Sequence, residues 1–288
     1  MPDPTTRCIE ASGAEITYDV LAAAEAGDPR ILLLIGSPMG AGGFGTLRGH
    51  FPDRTVVTYD PRGVERSPKA EPTTESTPEE HADDLHRIIA AAGGGPVDVF
   101  ASSGGAVNAL ALVIAHPDDV ATLVAHEPPL AQLVPDREAA LAACVAIRDT
   151  YQQRGSGPAM ARFIALVGHE GEIPDGYADQ PGPDPATFGM SSEDDGDRTD
   201  ALAGQNIITC THYRPDLEAL RAAPTRIVVG VGAGSGQQLA ARAGRALAGR
   251  LGTEVVVFPG DHGGFLGGEY GQTGEPDAFA ATLREVLG

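Results

Sequence analysis

The feature that most constrains this chain is the stretch Val97-Asp98-Val99-Phe100-Ala101-Ser102-Ser103-Gly104-Gly105. Its first half is a short β-branched and aromatic run of the kind that forms a buried strand. It then gives way to small residues and to helical spacing at Val107, Leu110, Ala111 and Ile114. The chain therefore turns sharply from strand into helix at Ser103. A serine in such a turn projects its hydroxyl clear of the sheet, provided that its neighbours are nearly free of side chains. The pattern is a G-x-S-x-G nucleophile elbow with Ala101 in place of the first glycine. Taking Ser102 as the nucleophile would put Phe100 at the crowded first position, so Ser103 is the candidate. The plainer alternative is that these small residues only let a strand and a helix pack closely.

The rest of the chain alternates strands with helices around this point. Residues 7 to 10 and 16 to 21 read as an antiparallel hairpin turned at Ser12-Gly13, and residues 31 to 35 form a continuous apolar strand ending in Gly36-Ser37-Pro38-Met39-Gly40. A strand at 56 to 59 leads into Asp60-Pro61-Arg62-Gly63-Val64-Glu65-Arg66-Ser67, and a helix over 78 to 92 is opened by Thr77-Pro78-Glu79-Glu80. After the elbow helix come a strand at 120 to 125 ending in His126-Glu127-Pro128-Pro129, a strand at 226 to 231, a helix at 237 to 251, a strand at 254 to 258 and a final helix from about 277 to 287. This alternation predicts an α/β fold, a mostly parallel twisted sheet with helices on both faces. Residues 130 to 222 break the rhythm. Helical stretches at 136 to 154, 157 to 167 and 214 to 222 flank an acidic, Pro/Gly-rich segment at 169 to 200, whose low hydrophobicity predicts a mobile loop. The expectation is a core of residues 1–129 and 223–288 with an inserted helical cap at 130–222 over the C-terminal edge of the sheet. A surface excursion with no part in catalysis is the alternative.

Forty acidic against twenty basic residues give a formal charge of −20. Such a surface repels phosphate backbones and anionic lipid, which argues against nucleic-acid and membrane partners and for a neutral or cationic small-molecule substrate. Cys8, Cys144 and Cys210 are odd in number and far apart, so they indicate neither disulfides nor zinc and read as small apolar residues. H-E-x-x-H and EF-hand patterns are missing, and the loop Gly230-Val231-Gly232-Ala233-Gly234-Ser235-Gly236 completes no G-x-G-x-x-G. No metal and no cofactor is expected. With no signal-peptide pattern and no apolar run of about eighteen residues, a soluble cytoplasmic protein is expected. Oligomeric state does not follow from the sequence, and a homodimer stays open.

The order of motifs resembles the α/β-hydrolase superfamily over essentially the whole chain. The matching pieces are Gly36-Ser37-Pro38 after the third strand, Asp60-Pro61-Arg62-Gly63 after the fourth, the elbow after the fifth, a cap after the sixth and Gly260-Asp261-His262-Gly263 after the last. The resemblance implies Ser103 as nucleophile, His262 as general base, and an oxyanion hole made by the backbone N–H groups of Ser37 and Gly104. Ile35-Gly36 stands where the family often has histidine-glycine. His50, His81, His86, His116 and His212 read as solvated or capping residues, and Asp60 with Arg62 as organisers of a tight turn rather than as a catalytic pair. The family's usual acid follows the strand at 226 to 231, yet no carboxylate occurs between Glu218 and Glu254. Glu127, after the sixth strand, is one replacement; it reads equally as a polar residue of the cap hinge or pocket. Asp261 reads as a loop-fixing residue, and with no acid a Ser–His dyad would remain. The function implied is a serine hydrolase of a small neutral ester, thioester or lactone acting through an acyl-enzyme on Ser103. A lyase, cyclase or perhydrolase is the alternative that the missing acid motivates; a silent ligand-binding member is a third, against which Ser103, His262 and the strained elbow argue. Epoxide hydrolases and haloalkane dehalogenases are disfavoured, because the elbow holds no aspartate and the chain no tryptophan.

Overall fold

The computed structural model describes residues 3–25 and 27–288. Its centre is strand β3 (Leu32–Ile35), whose alternating side chains divide the core. Leu33 and Ile35 join one apolar cluster and Leu32 and Leu34 the other, as the period of two requires of a strand covered on both faces. Strands β1 (Thr5–Ala11) and β2 (Ala14–Leu21) form the antiparallel hairpin. With β4 (Val56–Tyr59), β5 (Val97–Ser102), β6 (Val120–His126), β7 (Arg226–Gly232) and β8 (Val256–Phe258) they make an eight-stranded sheet in the order β1-β2-β4-β3-β5-β6-β7-β8. β2 pairs antiparallel with β4, and every later pairing is parallel.

Helices cover both faces. The short α1 (Gly45–Gly49) follows β3, and α2 (Pro78–Ala92) opens with a complete capping box between Thr77 and Glu80. α3 (Gly104–Ala115) continues directly from the elbow. Leu85 and Ile88 of α2 and Val107 and Leu110 of α3 pack on the Leu33 side of the sheet. Between β6 and β7 lie α4 (Arg137–Arg154), α5 (Ser156–Val167), α6 (Ile207–Thr211) and α7 (Leu217–Ala222), with a π-helical turn at Ala201–Asn206. Residues 169 to 200 are largely exposed, with short 3₁₀ turns at Tyr177–Asp179 and Pro185–Phe188. The segment is tied at intervals: Ile173 N donates to Asp136 Oδ2 at 2.7 Å, Arg162 Nη2 to the Gln180 carbonyl at 2.9 Å, and Asp200 N to the Tyr151 hydroxyl at 2.9 Å. α8 (Leu239–Leu251) returns to the Leu33 side, and α9 (Pro276–Leu287) packs Phe279 and Leu283 against Leu32 and Leu34 on the other face. The helix read at 214 to 222 begins only at Leu217, because Asp216 caps it by accepting from Glu218 N and Ala219 N. Among the described residues no helix is long and apolar enough to cross a membrane.

Two observations correct the sequence reading of single residues. Cys8 is exposed on the edge strand β1, whereas Cys144 and Cys210 are buried. His81 is neither solvated nor a cap: it is fully buried on α2, and its Nε2 donates to Asn206 Oδ1 at 2.9 Å. The Asn206 amide in turn donates to the Ala201 carbonyl, which leaves Oδ1 as the acceptor. His86, half-buried, pairs with Asp119 at 2.7 Å and stacks on His116 with ring centroids 3.9 Å apart.

Candidate active site

Ser103 carries φ 58° and ψ −128°, outside the regions open to ordinary residues. The turn is held by Ser103 N donating to the His126 carbonyl at 3.0 Å and by Ala106 N donating to the Ser103 carbonyl at 3.0 Å. The glycines have a steric reason. A Cβ at Gly104 would stand 2.6 Å from the Ser37 carbonyl oxygen, and one at Gly105 would stand 2.8 Å from Gly36 Cα. The parallel pairing of β3 with β5 brings the Gly36–Gly40 loop beside the elbow in this way. Gly104 opens α3, where the first N–H groups have no intrahelical acceptor, and Ser37 N–H meets no acceptor among the described residues.

His262 stands in the loop after β8. Gly260, at φ 79°, makes the turn, and Asp261 accepts from Gly263 N at 2.9 Å. The loop is stapled to its neighbour by Gly234 N donating to the Gly260 carbonyl at 2.7 Å. A Cβ at Gly232 would meet Asp261 at 2.7 Å, so the glycine-rich run after β7 serves a close approach of two loops.

Glu127 follows β6 with φ 48° and is 1% exposed. Its Oε1 accepts from Gly232 N at 2.8 Å, and its Oε2 lies 2.6 Å from His262 Nδ1. Burial alone would raise this carboxyl, but the hydrogen bond from His262, and then the nearness of the His262 and His126 rings, outweigh it and hold it down at about 2. Glu127 is therefore an ionised acceptor, Nδ1 of His262 is the donor, and Nε2 remains as the nitrogen free to take a proton. The carboxylate missing after β7 is thus matched by one from the adjacent strand.

Ser37, Ser103, Gly104 and His262 line one cavity of about 820 Å³. Its apolar wall includes Phe163 and Val167 of α5, Leu202 and Ile207 at the π turn and α6, and Leu239 of α8. Glu65 and Asp261 also line it, and no lysine or arginine does. The Asp60–Ser67 turn lies alongside. Asp60 Oδ1 accepts from Ala41 N at 2.9 Å and its Oδ2 pairs with Arg66, so this carboxylate organises the loop and is fully occupied.

His126 was not singled out from the sequence. Its ring is fully buried among Phe100, Phe258, Phe265 and Phe279, and neither nitrogen has a hydrogen-bond partner. Desolvation pushes its pKa down to about 4, and that of His81 to about 4 as well. Both rings are neutral when folded, while the unfolded chain binds their protons below about pH 6.5. The stability they leave intact above that pH is therefore lost as pH falls from about 6.5 towards 4, by a few kcal/mol. Urea midpoints at pH 7 and 4.5 should show this loss, and His126→Phe should reduce it. A wild-type midpoint unchanged across that interval would contradict the burial of both rings as neutral species.

Ser103 and His262 thus line one cavity, with Glu127 on His262 Nδ1, on a mostly parallel eight-stranded sheet. A model of the alpha/beta hydrolase fold matches residues 29–167. The uncharacterized hydrolase YraK of Bacillus subtilis is 30% identical over 269 residues, covering 89% of each chain. An esterase from Exiguobacterium antarcticum superposes with a TM-score of 0.68 at 19% identity over 98% of this chain and 99% of that one. The enol-lactonase from Burkholderia xenovorans does so with a TM-score of 0.65 at 16% identity over 98% and 99%. The chain belongs to the α/β-hydrolase fold family.

Proposed function

We propose that this protein is a cofactor-free serine hydrolase of a small ester, thioester or lactone. The observation that carries the reading is the 2.6 Å contact between His262 Nδ1 and Glu127, made at the rim of the cavity that Ser103 also lines. It supplies an ionised carboxylate to orient the base, and the strained elbow presents the serine. In this reading Ser103 Oγ attacks the substrate carbonyl carbon while His262 Nε2 takes the hydroxyl proton. The tetrahedral oxyanion accepts hydrogen bonds from the N–H groups of Ser37 and Gly104. Collapse expels the alcohol or thiol, to which His262 returns the proton, and leaves an acyl group on Ser103. Water, deprotonated by His262, then releases the acid. The names of the relatives, an esterase and a lactonase among them, support ester chemistry. The reading as a lyase or perhydrolase drew on a missing acid, and the contact of Glu127 with His262 Nδ1 favours the hydrolase reading over it.

A fluorophosphonate probe tests the proposal. Wild type is expected to gain one adduct by intact mass, localised to Ser103, and Ser103→Ala to gain none. Folded wild type that stays unlabelled and hydrolyses no p-nitrophenyl ester would overturn it. The acidic lining makes a second prediction. Among matched esters, those with a carboxylate on the acyl chain should show kcat/KM at least about tenfold below their neutral counterparts, with the gap narrowing in high salt.

A further inference from the structure

Among the described residues four that are not glycine have a positive φ: Glu65 at 44°, Ser103 at 58°, Glu127 at 48° and Tyr270 at 55°. Left-handed backbone is costly for a residue with a side chain, and such strain collects where function holds it in place. Two of the four are the proposed nucleophile and the carboxylate on its base. The other two, Glu65 and Tyr270, line the same cavity.

Neither turn accounts for its occupant. Tyr270 stands between Gly268 and Gly271, themselves at φ 130° and 73°, in a turn closed by Gly271 N donating to the Gly268 carbonyl at 3.1 Å. A glycine at 270 would be unstrained there. Glu65 occupies the turn closed by Ser67 N donating to the Val64 carbonyl at 2.9 Å. Both side chains reach the loop that follows β3. A Cβ at Gly40 would lie 3.1 Å from Glu65 Oε1, and one at Gly42 would lie 3.8 Å from the Tyr270 hydroxyl.

The chemistry of the pair is specific. The Glu65 carboxylate has no hydrogen-bond or ion-pair partner among the described residues, since adjacent Arg66 is spent on Asp19 and Asp60. Tyr270 is 59% exposed, an aromatic ring left at the surface of a chain whose phenylalanines are mostly interior. Partial burial, and then the charges of Glu65, Asp60 and Glu269, push its phenol above the ordinary range, which shows how negative this rim is. No lysine or arginine lines the cavity to compensate. A free carboxylate and an exposed aromatic ring on one wall attract a cation, the carboxylate by charge and the ring by its π face.

We propose that Glu65 and Tyr270 form an ammonium-binding subsite at the cavity mouth, and that the preferred substrates are esters whose alcohol carries a positively charged nitrogen. The inference rests on the hydrolase reading above and names its substrate class.

The test compares two esters of one acid that differ only in charge: butyrylcholine and its carbon isostere 3,3-dimethylbutyl butyrate. Wild type is expected to favour the cationic ester by about tenfold in kcat/KM, the combined scale of one exposed ion pair and one cation–π contact. Glu65→Gln and Tyr270→Ala should each reduce that ratio by about threefold, whereas Tyr270→Phe should keep it because the ring face remains. Free choline should inhibit hydrolysis of the neutral ester more strongly than 3,3-dimethylbutanol, and Glu65→Gln should erase that difference. A ratio near one in a wild type that takes the fluorophosphonate and hydrolyses the neutral ester overturns the subsite alone. A ratio unchanged in both Glu65→Gln and Tyr270→Ala also overturns it, because the preference would then belong to the overall charge of −20. Wild type that neither hydrolyses the neutral ester nor takes the probe overturns the hydrolase reading beneath it.

Discussion

Glu127→Gln is expected to lower kcat by about 10⁴, with little change in KM, as replacing the buried carboxylate of a Ser-His-Asp triad by its amide does. The hydrogen bonds explain why an isosteric change should be so costly. Glu127 Oε1 accepts from Gly232 N at 2.8 Å, so the oxygen of a glutamine amide is claimed by that donor. Its NH₂ group must then take the place of Oε2, 2.6 Å from His262 Nδ1. An amide N–H facing Nδ1 forces that nitrogen to be the acceptor and puts the ring proton on Nε2, where it blocks the removal of a proton from Ser103. The defect is one of tautomer, so the variant should keep its thermal midpoint and react with fluorophosphonate in proportion to its lost kcat. Single-turnover kinetics with a p-nitrophenyl ester measures the effect directly. A loss of less than about tenfold would mean that His262 works without Glu127, as a Ser–His dyad.

That prediction turns on a contact that could be read only in part from the sequence. The elbow is local: strand residues, two serines and two glycines in nine consecutive positions define it, and the structure gives Ser103 the strained backbone that the pattern implies. The capping box of α2 is local too. The contact between Glu127 and His262 spans 135 positions and exists because β6, β7 and β8 are neighbours in the sheet. A carboxylate at the end of β6 was visible, and one of its two readings set it on His262, but the sequence could not choose between them, because reach across two strands depends on register. Periodicity also passed over buried polarity. Asp98 lies inside the elbow strand, read as apolar, yet it is fully buried and its Oδ2 accepts from Arg54 Nη2 at 2.7 Å. His81 reads as a solvated helix residue because its neighbours in the chain are polar, but its face of α2 meets the π turn that carries Asn206. Glu65 and Tyr270 belong to no motif. Their signal is a positive φ where glycine is absent, and only coordinates reveal it.

Arg62→Met is expected to cost about 3–5 kcal/mol, the penalty for stranding one member of a buried ion pair. For a chain of this size that is a fall in Tm of about 10 °C. Arg62 is 2% exposed and lies at the start of the turn that bears Glu65. Its Nε and Nη2 each donate to Asp84 at 2.7 Å, and Nη1 donates to Glu80 at 3.0 Å, which bolts the turn to α2. Asp84 is itself fully buried, so removing the guanidinium leaves a carboxylate with neither partner nor water. The cost belongs to the isolated charge more than to the pair, so Arg62→Met/Asp84→Leu should recover most of the lost stability. The double variant separates two roles that the single one confounds. If Arg62 also positions Glu65, the double variant should regain its midpoint in a melt and still show a weakened preference for the cationic ester. A single variant that loses less than about 1 kcal/mol would mean that Asp84 is reached by water, and that the turn is held by Asp60 and Arg66 instead.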